Sequence, residues 1–242
     1  MTETLKEALR RHEIDIDSKA VERVEEFYEL LMEKNRVMDL TNITEPREVA
    51  LRHMADSLYI LKYFNIEGKK VIDIGTGAGF PAMPLLMAVP SLEITMLDST
   101  GKRMDFIREA IEKIGDCPNA TVVTARAEEL AMEPQYREQY DIVLSRAVAN
   151  MTALSELCLP YVKKGGLFVA MKSDNDEAAA EIKAAEKTIA LMGGRILDEV
   201  NYQIDTDCPK RRLVVVEKTA NTPSAFPRKY AKIKAGPPKG CR

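Results

Sequence analysis

The apolar run Val71-Ile72-Asp73-Ile74 breaks into Gly75-Thr76-Gly77-Ala78-Gly79-Phe80, and this passage constrains the fold more than any other in the chain. Branched residues bounded by glycines predict a buried strand that ends in a tight turn. Glycine lacks a Cβ, so the backbone there can bend sharply and approach a ligand. A second apolar run, Glu93-Ile94-Thr95-Met96-Leu97-Asp98, ends in an acid. That acid lies about 20 residues beyond the turn, where a carboxylate can accept hydrogen bonds from ribose hydroxyls.

The turn reads G-x-G-x-G, and Phe80 occupies the sixth position, where the dinucleotide pattern needs a third glycine for close helix–strand packing. No G-K-[ST] follows, so it is not a P-loop. Asp73, at the carboxyl end of the strand, would repel the pyrophosphate of a nicotinamide cofactor. A zwitterionic sulfonium nucleoside tolerates it. The pattern therefore points to S-adenosylmethionine, with Asp73, Gly75, Gly77, Gly79, Phe80 and Asp98 as its candidate ligands.

Beyond the turn, apolar runs alternate with amphipathic stretches. Strands are predicted at 70–74, 93–98, 120–124, 140–144, 166–171, around 196–204, and at 212–217, with helices at about 82–89, 101–114, 152–159 and 174–192. The last helix opens at Ser173-x-x-Asp176, like a capping box, and stops at Gly193-Gly194. Such alternation predicts a parallel, doubly wound sheet. The final two strands are joined without room for a crossover, so they should run antiparallel. The expected fold is α/β: the Rossmann-like class I methyltransferase plan, a mostly parallel seven-stranded sheet with a late antiparallel strand. Upstream, Ala20, Val24, Phe27 and Leu31 mark a helix over 18–34 with Ser18 as its cap, and another runs from about Pro46 to Phe64. The expected organisation is a helical N-terminal extension (1–66), a methyltransferase domain (67–220) and a basic tail (221–242).

The net charge of −3 is unevenly spread, because residues 221–242 hold Arg228, Lys229, Lys232, Lys234, Lys239 and Arg242 with no acid. A basic tail on an acidic body points to a polyanionic partner held by Arg228, Lys229, Lys232 and Lys234; a solvated terminus is the alternative reading. Cys117, Cys158, Cys208 and Cys241 form no C-x-x-C pair, so reduced thiols and no metal site are expected. The charged start, Met1-Thr2-Glu3-Thr4-Leu5-Lys6-Glu7, has no signal-peptide core, and no apolar stretch approaches a membrane span. The expected location is cytoplasmic.

Several segments carry a wider likeness. Met38-Asp39-Leu40-Thr41-Asn42-Ile43-Thr44 and Arg52-His53-Met54-Ala55-Asp56-Ser57-Leu58 precede the glycine turn. Leu97-Asp98-Ser99-Thr100-Gly101-Lys102-Arg103, Arg126-Ala127-Glu128-Glu129, Ser145-Arg146-Ala147 and Ala170-Met171-Lys172 follow it. In this order and spacing the chain resembles the RsmG (also GidB) family over roughly residues 20–235. It departs at Met38-Asp39, where the family usually has an aromatic residue and asparagine. The resemblance implies a bacterial guanine-N7 methyltransferase acting, as a monomer, on 16S rRNA, the small ribosomal subunit or its assembly intermediate.

The resemblance also assigns Ala127 and Glu128 to the cofactor, and places Arg146 against cofactor and guanine. Arg146 follows the fourth strand, at the mouth of the sheet where ligands collect, with a structural salt bridge as the alternative. Lys172, ending the fifth strand, is a second catalytic candidate, for phosphate or base contact. His53 and Asp56 are spaced to pair locally on a helix. Guanine N7 has a lone pair and no proton, so the implied transfer requires alignment and no general base. A small-molecule methyltransferase and a non-catalytic nucleoside-binding regulator remain as alternatives.

Overall fold

The computed structural model describes residues 1–241; Arg242, counted above in the basic tail, lies outside the described residues. Seven strands form one sheet: β1 (Lys70–Ile74), β2 (Glu93–Asp98), β3 (Ala120–Thr124), β4 (Tyr140–Arg146), β5 (Val162–Ser173), β6 (Gly194–Tyr202) and β7 (Arg211–Lys218), in the order β3-β2-β1-β4-β5-β7-β6. The chain divides into two compact units.

The first unit comprises Met1–Lys69, Thr76–Thr124 and Gln203–Cys208. It opens with α1 (Thr2–Arg11), which buries Leu5, Ala8 and Leu9, a helical stripe not among the predicted elements. In α2 (Ser18–Asn35) the predicted Ala20, Val24, Phe27 and Leu31 are buried. Its cap is Asp17, whose Oδ1 accepts the Ala20 N–H at 2.6 Å, and not the predicted Ser18. The carboxylate one residue earlier both accepts that bond and complements the positive end of the helix. The predicted Pro46–Phe64 helix is a composite. It runs through α3 (Pro46–Val49), a π-helical turn at Ala50–Ala55, α4 (Asp56–Leu58) and a 3₁₀ turn at Tyr59–Lys62. The remaining helices are α5 (Ala82–Ala88), buried along most of its length, and α6 (Gly101–Ile114). In this unit β2 and β3 pair in parallel from Ile94↔Ala120 to Asp98↔Thr124.

The second unit comprises Lys70–Gly75, Ala125–Tyr202 and the chain from Pro209 onward. Here β1 pairs with β4, and β4 with β5, in parallel. The strand order turns at β1/β4, the topological switch point beside which open α/β sheets bind ligands. β7 lies between β5 and β6 and is antiparallel to both, and its pairing with β6 is the one the short connection predicts. The helices are α7 (Ala127–Leu130), α8 (Met151–Cys158), α9 (Asp176–Leu191) and α10 (Tyr230–Lys234). Asn175 caps α9 by accepting the Ala178 N–H at 2.8 Å; Ser173, the predicted cap, is the last residue of β5. Leu213, Val214, Val215 and Val216 of β7 are all buried. Each stabilises the sheet by roughly 1.5–3 kcal/mol of apolar burial.

The terminal residues are not a free tail. Arg137 donates to the carbonyls of Thr222, Pro223 and Phe226. Ile233 and Cys241 are buried. The alternative reading of a solvated terminus does not describe the segment as a whole, because buried residues alternate with exposed ones along it.

Candidate active site

In the first unit the glycine turn is organised by the strand that follows it. Asp98 Oδ2 accepts the Gly77 N–H at 3.1 Å and Oδ1 accepts the Thr100 N–H at 2.8 Å. The Thr76 N–H bonds the Leu97 carbonyl at 3.1 Å. A carboxylate offers about four acceptor positions. Two are taken by backbone, which fixes the plane of the group and leaves the others for hydroxyl donors. Gly79 has φ +99°, and a Cβ there would run into Met83 and Ile107, so the turn admits no larger residue. Thr76 Oγ1 is buried with no hydrogen-bond partner among the described residues. A polar group held in this turn would satisfy it. These residues fit a nucleoside cofactor.

Phe80 turns into the helices. Its ring stacks on His53, with centroids 4.4 Å apart, and meets Phe27 of α2 edge-on at 5.8 Å. His53, in the π-helical turn, has Nε2 2.8 Å from Thr41 Oγ1. Asn35 in turn holds the Leu40–Thr41 backbone through both of its amide atoms. Two segments that sequence could only place side by side, around Thr41 and around His53, are thus joined through side chains behind the glycine turn. Both contain residues capable of this bond, but nothing in their spacing announces it.

In the second unit Asp73 is fully buried at the end of β1. Burial, reinforced by the charge of Asp73, pushes the Cys158 thiol well above its ordinary pKa. Ser145 Oγ donates to the Ile74 carbonyl at 3.0 Å, tying the ends of β4 and β1 together. Arg146 closes β4 opposite Met171 of β5 and is half-buried. Ala147 then takes a left-handed conformation, φ +57°, and Val148 lies against Gly75, where a Cβ would collide with it. That packing explains the first glycine.

Lys172 is engaged. Its Nζ lies 2.7 Å from Glu181 Oε2 and donates to the Ala149 carbonyl at 3.2 Å. Ala127 and Glu128 begin α7; Glu128 is buried, and the Ala127 carbonyl accepts the Tyr161 hydroxyl at 2.6 Å. Of the terminal basic residues, Lys229, Lys232 and Lys234 are exposed. Arg228 instead makes a two-pronged ion pair with Glu156, which is only 1% exposed. Charge counting along the chain has no access to an acid so distant in sequence.

Comparison with known proteins gives a consistent result. The sequence model of the GidB family, described as rRNA small subunit methyltransferase G, matches residues 20–203. A ribosomal RNA small subunit methyltransferase G from Desulforamulus reducens is 43% identical over 231 residues, 95% of each chain. The protein of that name from Lachnoclostridium phytofermentans is 41% identical over 227 residues, 93% of this chain and 92% of the other. Among solved structures, a 16S rRNA (adenine(1408)-N(1))-methyltransferase from Catenulisporales acidiphilia superposes with a TM-score of 0.51 at 15% identity, covering 65% of this chain and 88% of that one. The antibiotic-resistance methyltransferase Kmr gives 0.51 at 18% identity, over 69% and 94%. These two likenesses concern the fold.

Proposed function

The chain belongs to the GidB family of small-subunit rRNA methyltransferases, and from that premise we propose that it transfers a methyl group from S-adenosylmethionine to N7 of a guanosine in 16S rRNA. The observation that carries the cofactor reading is Asp98, a carboxylate oriented by two backbone donors at the end of β2. It accepts the ribose hydroxyls, while Gly75, Gly77 and Gly79 let the backbone approach the cofactor, with Asp73 and Phe80 as the remaining cofactor residues of the motif. Ala127 and Glu128 serve the adenine end. When bound, S-adenosylmethionine supplies a methyl group activated by a positive sulfonium.

N7 of guanine carries no proton, so no residue of this chain has to remove one. The work of the protein is alignment, which can account for several kcal/mol of a barrier. Arg146, at the switch point, positions the guanine. Lys172 supports that position through the loop it holds. The extension (1–66) and the exposed lysines of the tail (221–242) present the RNA to the methyltransferase domain (67–220). No helix among the described residues is long and apolar enough to cross a membrane. An enzyme of this kind would work in the bacterial cytoplasm, here as a monomer on 16S rRNA, the small subunit or its assembly intermediate.

The test is transfer of a labelled methyl group to 16S rRNA, followed by nuclease digestion. Recovery of the label as N7-methylguanosine is the expected result. Label in another nucleoside, or transfer only to small molecules, would overturn the substrate reading.

A further inference from the structure

Arg146 is followed by a short loop, residues 147–150, before α8 begins. The loop starts with Ala147 in the left-handed region and sends Val148 onto Gly75. A non-glycine residue in that region is strained and needs outside support. Two bonds from one direction supply it. Glu181 Oε2, on α9, accepts the Met151 N–H at 3.2 Å and pairs with Lys172 Nζ at 2.7 Å. Lys172 Nζ donates to the Ala149 carbonyl at 3.2 Å. Both side chains are largely shielded, at 15% exposure for Lys172 and 27% for Glu181. A pair shielded to this degree is worth more than an exposed one. Asn150, between the two anchored residues, caps α8 by accepting the Ala153 N–H at 3.0 Å.

We propose that Glu181 is a positioning residue which, acting through Lys172 and the Met151 amide, holds the Arg146 loop against Gly75 and so sets cofactor affinity and methyl-transfer rate. The proposal rests on the function given above. Glu181 need not touch cofactor or RNA. Its carboxylate joins a strand end, a helix start and a loop, and the loop in turn lies on the first glycine of the turn.

Glu181 is half-buried and is not among the buried residues of its helix, and alanine is a favourable helix residue, so Glu181→Ala should remain folded. It should bind S-adenosylhomocysteine about tenfold more weakly, since a small misplacement of a positioning group has effects of this size or larger. Its kcat should fall further than its KM for RNA rises. Hydrogen exchange at the Met151 amide, which donates to Glu181, should accelerate, with exchange in β7 unchanged. Glu181→Gln keeps an acceptor for both donors and should recover most of the affinity. Lys172→Met combined with Glu181→Ala should lose no more than the worse single variant, because both act on one loop.

Calorimetry with S-adenosylhomocysteine and hydrogen exchange on the full chain read these outcomes. Wild-type affinity in Glu181→Ala, or additive losses in the double variant, would overturn the proposal alone. Wild-type protein that binds no S-adenosylhomocysteine would overturn the cofactor reading and this proposal with it.

Discussion

Asp98 Oδ2 accepts the Gly77 N–H at 3.1 Å, so the acid read from sequence as a candidate ribose acceptor also holds the glycine turn. Removing it should do two kinds of damage. Asp98→Ala loses the hydroxyl bonds, at about 1.5–3 kcal/mol each for a charged acceptor, and releases the Gly77 and Thr100 amides. Asp98→Asn retains one acceptor oxygen and should lose less. Calorimetric titration with S-adenosylmethionine compares the two; an unchanged affinity in Asp98→Ala would remove this residue from the site.

Arg146→Ala should lower kcat/KM about a hundredfold while moving the melting temperature by only a few degrees, as expected of a group that aligns reactants. A fall in stability matching the fall in activity would instead make Arg146 part of a structural ion pair.

The terminal residues separate into two functions. Lys229, Lys232 and Lys234 are exposed, and exchanging all three for alanine should weaken rRNA binding. It should also flatten the salt dependence by about 0.7 in the log–log slope for each phosphate of a single-stranded RNA that is no longer neutralised. Cofactor binding should be unaffected. Arg228 is different. Arg228→Ala leaves the Glu156 carboxylate buried and unpaired, which costs about 3–5 kcal/mol, and truncation before Asn221 should do the same. Urea unfolding of the truncated chain, set beside filter binding of the lysine variant, distinguishes an anchor from an RNA-binding group.

Lys218 gives a pH prediction. It is buried, donates to the Leu159 carbonyl at 2.6 Å and to Thr222 Oγ1 at 2.5 Å, and lies 3.2 Å from Glu138. Burial outweighs the pull of Glu138 and lowers its pKa from 10.5 to about 8. Between these values the unfolded chain binds more protons than the folded one, so this group adds stability as pH rises through the window. Below about pH 8 both states carry the proton, and the cost of burying the charge is complete. The span is on the order of 3 kcal/mol. Lys218→Met should remove this contribution. The wild-type-minus-variant difference in unfolding free energy, measured from pH 7.5 to 10.5, should therefore rise with pH; a flat or falling difference would contradict the buried-ammonium account.

Periodicity and turn chemistry carried most of the fold. All seven strands lie near their predicted places, and the reversal of β7 follows from a link too short for a crossover. β5 runs from Val162, earlier than the predicted 166, because Gly165 and Gly166 interrupt the apolar pattern but not the strand. Both corrected caps are one or two residues off, at Asp17 for Ser18 and Asn175 for Ser173, since each has a second capping residue nearby and only geometry chooses between them. The candidate site was legible wherever its residues sit on one motif, as with Gly75, Gly77 and Gly79 and the Asp98 that bonds the Gly77 amide. It was not legible where partners are brought together by the fold. His53 with Thr41, Lys172 with Glu181 and Arg228 with Glu156 are pairs that a linear reading sees as separate polar residues.

The position of β7 between β5 and β6 also bears on how the molecule is made. A ribosome delivers β6 before β7, so β6 waits without a neighbour and β5 waits with an open edge until residues 211–218 emerge. Unpaired strand edges invite pairing with other chains. A polypeptide terminated between Tyr202 and Arg211 therefore keeps β5 open and β6 unpaired for its whole lifetime. Nonsense fragments of this protein should accumulate as aggregates, whereas the full chain carries them only for the time taken to translate its last strand.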